Sequence, residues 1–175
     1  MALKVLYHGT DIESAKKICT KGINVNHGKK RVDFGPGFYA TEDFERAETW
    51  AVRKAKAHRS EPAIIELYFD ETAAESIIVR FQDDLRWGRF VINNRNGYDY
   101  FSKIEFQEHN LDRKYQITIG RIADVGIMDV ADELLESGEM LVSLDRILKP
   151  TYPQQVVFHT QYATSFIKKM SYRNV

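Results

Sequence analysis

The chain has 175 residues, 43% apolar and 29% charged, which fits one ordinary globular domain over residues 1–175 with no need of a disulfide or metal to fold. Lys+Arg and Asp+Glu number 25 each, so no global field steers the chain to nucleic acid. Cys19 is the lone cysteine, which excludes an intramolecular disulfide, and no apolar run approaches membrane length.

In chain order, Met1 to Lys4 carries no signal-peptide pattern, so a cytoplasmic protein is the simplest reading. Leu3 to Tyr7 predicts a short strand. Ile12, Ala15, Ile18 and Cys19 recur at helical spacing, so Asp11 to Lys21 is expected to be helical, capped by Asp11 and closed by Gly22. Residues 24–37 are polar and glycine-bearing, hence a loop, with a basic run at Lys29-Lys30-Arg31 that is either solvated or, lying beside the second motif, able to meet a phosphate. Phe38 to Ala40 is extended. Thr41 is expected to cap a second helix whose first turns hold Glu42, Asp43 and Glu45 and whose inner face is Phe44, Ala47, Trp50, Ala51 and Ala55. Pro62 to Phe69 predicts a strand, Phe81 to Asn94 a helix, and Tyr115 to Ile122 a strand. Segments 129–136 and 141–148 look helical. Gln155 to His159 is a late strand, and Ala163 to Met170 a closing helix. The fold class is α+β, with short strands spread along the chain and no regular βαβ alternation. Neither GxGxxG nor a P-loop occurs.

Two elements can carry chemistry. Tyr7-His8-Gly9-Thr10 ends the first strand, where a His can direct its ring out of the sheet and a Gly admits a planar group to the backbone. A satisfied structural imidazole is the competing reading of His8. Asp33-Phe34-Gly35-Pro36-Gly37-Phe38-Tyr39-Ala40-Thr41 is the more specific element: a preset turn, two aromatics, then a hydroxyl. A turn with core aromatics is its competing reading. Arg95 either holds a pyrophosphate or caps its helix, and Asp124 either faces a site or turns the chain. His27, His58 and His109 sit in polar contexts, and His159 follows Gln155 on the late strand. No His/Cys/Asp cluster has metal-ligand spacing, so no metal is expected.

Taken together, these motifs resemble the ADP-ribosyltransferase superfamily. More closely, they are similar to a bacterial family of uncharacterised domains ordered as strand-YHGS/T, helix, loop, DFGxGFYxT and a helix with Trp-Ala, here Trp50-Ala51. The resemblance continues through Trp87, Phe90, Asn94-Arg95, Tyr115-Gln116-Ile117 and Gln155 to Thr160. It implies an ADP-ribosyltransferase-like fold, a split mixed or antiparallel sheet with flanking helices. It also implies that NAD⁺ is the substrate. His8 would bond the adenosine ribose, the Gly9 backbone would grip the nicotinamide amide, and Tyr39 would stack on nicotinamide. Thr10, Phe38 and Thr41 belong to the same two motifs and, with Arg95, complete the expected nucleotide site.

The superfamily places a Glu at the start of a late strand, to bond the nicotinamide ribose and oppose the developing positive charge. This chain has Gln154-Gln155 there and no Glu after Glu139. Gln155 is the better match, although counting back from Phe158 favours Gln154. A Gln can bond ribose hydroxyls and supplies no negative charge. The implied activity is mono-ADP-ribosylation of a macromolecular acceptor with release of nicotinamide, by His8, Tyr39 and Gln155. A bacterial toxin or modulator with a small neutralising, antitoxin-like protein partner fits that activity. The alternative is a catalytically weak NAD⁺ or ADP-ribose binding module.

Overall fold

The computed structural model describes residues 3–123, 125–128 and 152–175. Strand β1 (Lys4–Asp11) runs four residues past its expected end, because all eight of its residues pair with β3 (Pro62–Phe69). Asp11 then caps α1 (Ile12–Lys21), accepting from the Ser14 backbone N–H at 3.0 Å, and Gly22 closes that helix at φ 86°. β2 (Phe38–Thr41) leads into α2 (Phe44–His58). The cap of α2 is Asp43, which accepts from Arg46 N–H at 2.9 Å, and not Thr41 as the sequence suggests. Thr41 is held in the ladder opposite Gln155, so the chain needs two more residues to turn. Its hydroxyl donates to the Gln154 carbonyl and accepts from Asp43 N–H.

After β3 come a short α3 (Glu71–Ala74) and β4 (Ile78–Arg80), a strand too short to leave a sequence pattern. Helix α4 (Leu85–Asn96) starts later than expected. Asp84 caps it, and Phe81 instead continues the sheet through its N–H to the Ile119 carbonyl. β5 (Ile117–Arg121) and β6 (Gln154–Phe158) follow. The expected closing helix does not form. A one-turn α5 (Gln161–Thr164) gives way to β7 (Ile167–Asn174), which pairs with the open edge of β3. Ile167 and Met170 pack on the core from that strand, so non-local pairing overrides local preference. The helices expected at 129–136 and 141–148, and Asp124, lie outside the described residues.

The fold is α+β with a seven-stranded mixed sheet in the order β4-β5-β6-β2-β1-β3-β7. Among the described strands, β4 and β5 run parallel and the other neighbours antiparallel. One face carries α1 over Leu6, Ala40, Ile65, Leu67, Val156 and Phe158. Strand alternation sends Tyr39 and Val157 to the other face, against α4 residues Trp87, Phe90 and Val91. α2 covers β1 and β3 on that same side through Ala47, Ala51 and Ile64. No helix among the described residues is long and apolar enough to cross a membrane.

The two flanks of the sheet, β4-β5-β6-β2 and β1-β3-β7, meet at one residue pair, Tyr7 opposite Thr41. α2 is drawn close to β1 just beyond that pair. A Cβ on Gly9 would lie 1.8 Å from the Ala47 carbonyl oxygen and 2.7 Å from Ala51 N. Since those are backbone atoms of a packed helix, Gly9→Ala is expected to lower stability by about 1–3 kcal/mol or more. Urea unfolding of the variant beside wild type measures this, and an unchanged midpoint would mean that α2 does not sit this close.

Candidate functional site

Past Tyr7 and Thr41, β1 and β2 part. His8 lies at the opening. Its Nδ1 is 2.6 Å from the Tyr39 carbonyl oxygen, and its ring stacks on Phe38 with centroids 4.3 Å apart. A carbonyl only accepts, so Nδ1 carries the proton and Nε2 presents a lone pair. Nε2 makes no hydrogen bond with the described residues. Burial lowers the His8 pKa from 6.5 to about 4, outweighing the Tyr39 bond, so the ring is neutral at physiological pH. His8 is therefore a fixed, uncharged acceptor on the rim of a break in the sheet.

The expected site residues divide between the two faces. Phe38 is buried in the α1 core, and the His8 ring lies on its side of the sheet. Thr10 is buried, three residues beyond the junction. Tyr39 points the other way, into the α4 core. The Tyr39 hydroxyl donates to the Gly35 carbonyl at 2.6 Å and accepts from Phe34 N–H at 3.0 Å. Burial, then the Asp33 charge, push its pKa well above the usual value, so the hydroxyl stays protonated. Tyr39 is thus a pillar of the turn before β2, and what it offers His8 is its backbone carbonyl. The expectation that the His8 and Tyr39 rings share one cleft is corrected here: adjacent strand positions alternate, and His8 stacks on the neighbour of Tyr39.

Gly9 is explained by the approach of α2, and Thr41 by its bonds to Gln154 and Asp43. Arg95, expected on a pyrophosphate or a helix end, makes a salt bridge. Its Nε and Nη2 donate to Asp33 Oδ1 at 2.9 and 2.7 Å. The late strand resolves the two glutamines. Gln154 is exposed, whereas Gln155 is 2% exposed on the Tyr39 face. Gln155 Nε2 donates to Asp33 Oδ2 at 3.4 Å and to the Arg121 carbonyl at 3.5 Å. Ala123 N–H completes the Asp33 shell at 3.2 Å.

Asp33 is the residue whose part in the site the sequence did not disclose. It lies in the second motif, yet its partners are 62, 90 and 122 positions away. Among the other histidines, His159 is buried between Thr118 Oγ1 and the Pro36 carbonyl, at 2.8 and 2.7 Å. Exposed His58 meets Asp11 at 2.9 Å. The basic run at Lys29–Arg31 is exposed, and Cys19 is half-buried against the α1 core. Open depressions lined by Lys4, Glu71 and Arg80, and by Lys16, Arg59 and Tyr172, touch neither His8 nor Gln155. No group of three metal-ligating side chains occurs among the described residues.

Residues 4–169 match the model of a family described as a protein of unknown function (DUF3990). The chain belongs to this family. A comparison with curated proteins finds no match. The matched span runs from β1 into the start of β7, and therefore His8, Asp33, Tyr39, Arg95 and Gln155 all lie within the family's domain.

His8 and His159 both fall to about 4, in each case chiefly through burial. A depressed folded pKa means that the unfolded chain binds more protons between about 4 and 6.5. The stabilisation by the neutral rings is thus complete above pH 6.5 and is lost as pH falls toward 4. Denaturant unfolding from pH 7 to pH 4 is expected to show this decline, and His159→Gln to flatten it. Imidazole NMR titrations with midpoints near 6.5 would contradict the burial of both rings.

Proposed function

We propose that this protein binds NAD⁺ at the opening between β1 and β2 and acts as a mono-ADP-ribosyltransferase, passing ADP-ribose to a macromolecular acceptor and releasing nicotinamide. The observation that carries the reading is His8: a neutral imidazole locked by the Tyr39 carbonyl, with Nε2 left as an acceptor at a break in the sheet. Such an atom suits a ribose hydroxyl and has no charge with which to prefer a phosphate or carboxylate. The order of the Tyr7–Thr10 and Asp33–Thr41 motifs, which resembles that of ADP-ribosyltransferases, supplies the identity of the nucleotide. An ADP-ribosyltransferase-like split sheet is part of the proposal, and the junction of the two flanks at Tyr7 and Thr41 agrees with it.

Cleavage of the nicotinamide–ribose bond builds positive charge on the sugar. Gln155 brings no negative charge to oppose it, so slow turnover is expected. One observation favours the second reading, a NAD⁺ or ADP-ribose binding module: the buried amide of Gln155 is tied to Asp33 where a catalytic carboxylate would be expected. A toxin or modulator acting in the cytoplasm, silenced by a small neutralising protein, is the setting that the enzyme reading suits.

Calorimetric titration with NAD⁺ tests binding, and His8→Ala is expected to weaken it roughly fivefold, the worth of about one neutral hydrogen bond. NAD⁺ should also raise the melting temperature of the wild type, because it binds only the folded state. Release of nicotinamide, with transfer of labelled ADP-ribose to a lysate component, separates enzyme from binding module. Absence of any NAD⁺ affinity removes both readings.

A further inference from the structure

Gln155 is 2% exposed, yet only one end of its amide is engaged. Nε2 faces two acceptors, Asp33 Oδ2 and the Arg121 carbonyl, at 3.4 and 3.5 Å. The side-chain carbonyl oxygen makes no hydrogen bond with the described residues. Turned about, the amide would set its oxygen against a carboxylate and a backbone carbonyl, with no proton between them. Asp33 cannot yield, since Arg95 holds Oδ1 through two N–H groups and Ala123 N–H holds Oδ2. An accepting oxygen without a donor among the described residues, on a side chain otherwise enclosed, is available to a partner from outside.

We propose that Asp33 is the positioning residue for Gln155, turning its amide so that the carbonyl oxygen is presented to a hydroxyl or N–H group of a ligand. That the ligand is a nucleotide rests on the reading above, whereas the orientation does not. The same geometry makes Gln155 a requirement of the site and no mere relic of a carboxylate. A Glu at this position would bring a second negative charge against Asp33 and the Arg121 carbonyl, with no proton to offer either.

The test is a cycle of wild type, Asp33→Asn, Gln155→Glu and the double variant, followed by urea unfolding. Gln155→Glu alone is expected to shift the unfolding equilibrium on the order of tenfold toward the unfolded chain. With Asp33→Asn in place, donor and acceptor are exchanged at that contact, and the same substitution should cost clearly less, the Arg121 carbonyl alone remaining opposed. Additive losses overturn the proposal. Should Asp33→Asn fail to fold, the wild type answers instead. The Gln155 side-chain NH₂ protons, assigned by their loss in Gln155→Ala, should exchange slowly and lie close to the Ala123 amide proton. Fast exchange without that proximity overturns the proposal equally.

Turnover supplies a readout that a merely structural Asp33 would not move. Asp33→Asn should lower kcat for nicotinamide release with little change in KM, and should cause no further loss in a Gln155→Ala background. A further loss there means that Asp33 acts by another route and overturns the proposal. If the stability cycle shows coupling while no variant binds NAD⁺, the orientation of Gln155 is upheld and the nucleotide reading fails alone.

Discussion

The junction of Tyr7 with Thr41 governs the rest of the molecule. Each flank of the sheet is bonded within itself: β1 pairs with β3 along its whole length, and β2 pairs with β6 through all four of its residues. Between the flanks the ladder lasts for one pair. Backbone groups left at a parting of strands need other partners. Here the Tyr39 carbonyl finds one in the His8 imidazole. The bond holds the ring and sets its tautomer, leaving the lone pair on Nε2. The placement of the ring and its tautomer both follow from that one interruption.

The parting is held open by what is packed around it. α2 presses its backbone against Gly9 on one side, and the α1 core grips Phe38 on the other. The turn before β2 is stiffened by the Tyr39 hydroxyl across Phe34 and Gly35, and by His159 on the Pro36 carbonyl. A Cβ on Gly37 would lie 2.7 Å from the Val157 side chain and 2.9 Å from the Phe158 carbonyl oxygen. The glycines at 9 and 37 thus serve close approach of backbone to neighbouring elements. Residues that look like ligand contacts in the sequence are in good part the means by which the opening keeps its shape.

A second polar centre lies under the start of β6, where Asp33, Arg95, Gln155 and two backbone groups satisfy one another. Low surrounding polarity makes each of these bonds stronger and each omission more costly. The arrangement accounts for a Gln where a carboxylate is anticipated by resemblance. Asp33 already provides the negative charge, and Arg95 already neutralises it. On the proposed reading, the carbonyl of Gln155 adds an acceptor there without adding charge.

Much of this was legible in the sequence. Local signals marked α1 with its Asp11 cap and Gly22 stop, the buried alanines of α2, and Pro62–Phe69 as a strand, because capping and periodicity act within a few residues. The two motifs drew notice to His8 and Tyr39, and the resemblance they carry drew notice to Gln154 and Gln155. Only the tertiary structure decided which way each side chain points. It sent Tyr39 to the face away from His8, gave Arg95 to Asp33, buried Gln155 rather than Gln154, and made a strand of Ile167–Asn174. Each of these outcomes depends on a partner far along the chain, such as the edge of β3 or a carboxylate 122 positions away. Sequence spacing carries the energy of neighbours within a turn or a strand, whereas burial and pairing across the sheet are fixed only when distant segments meet.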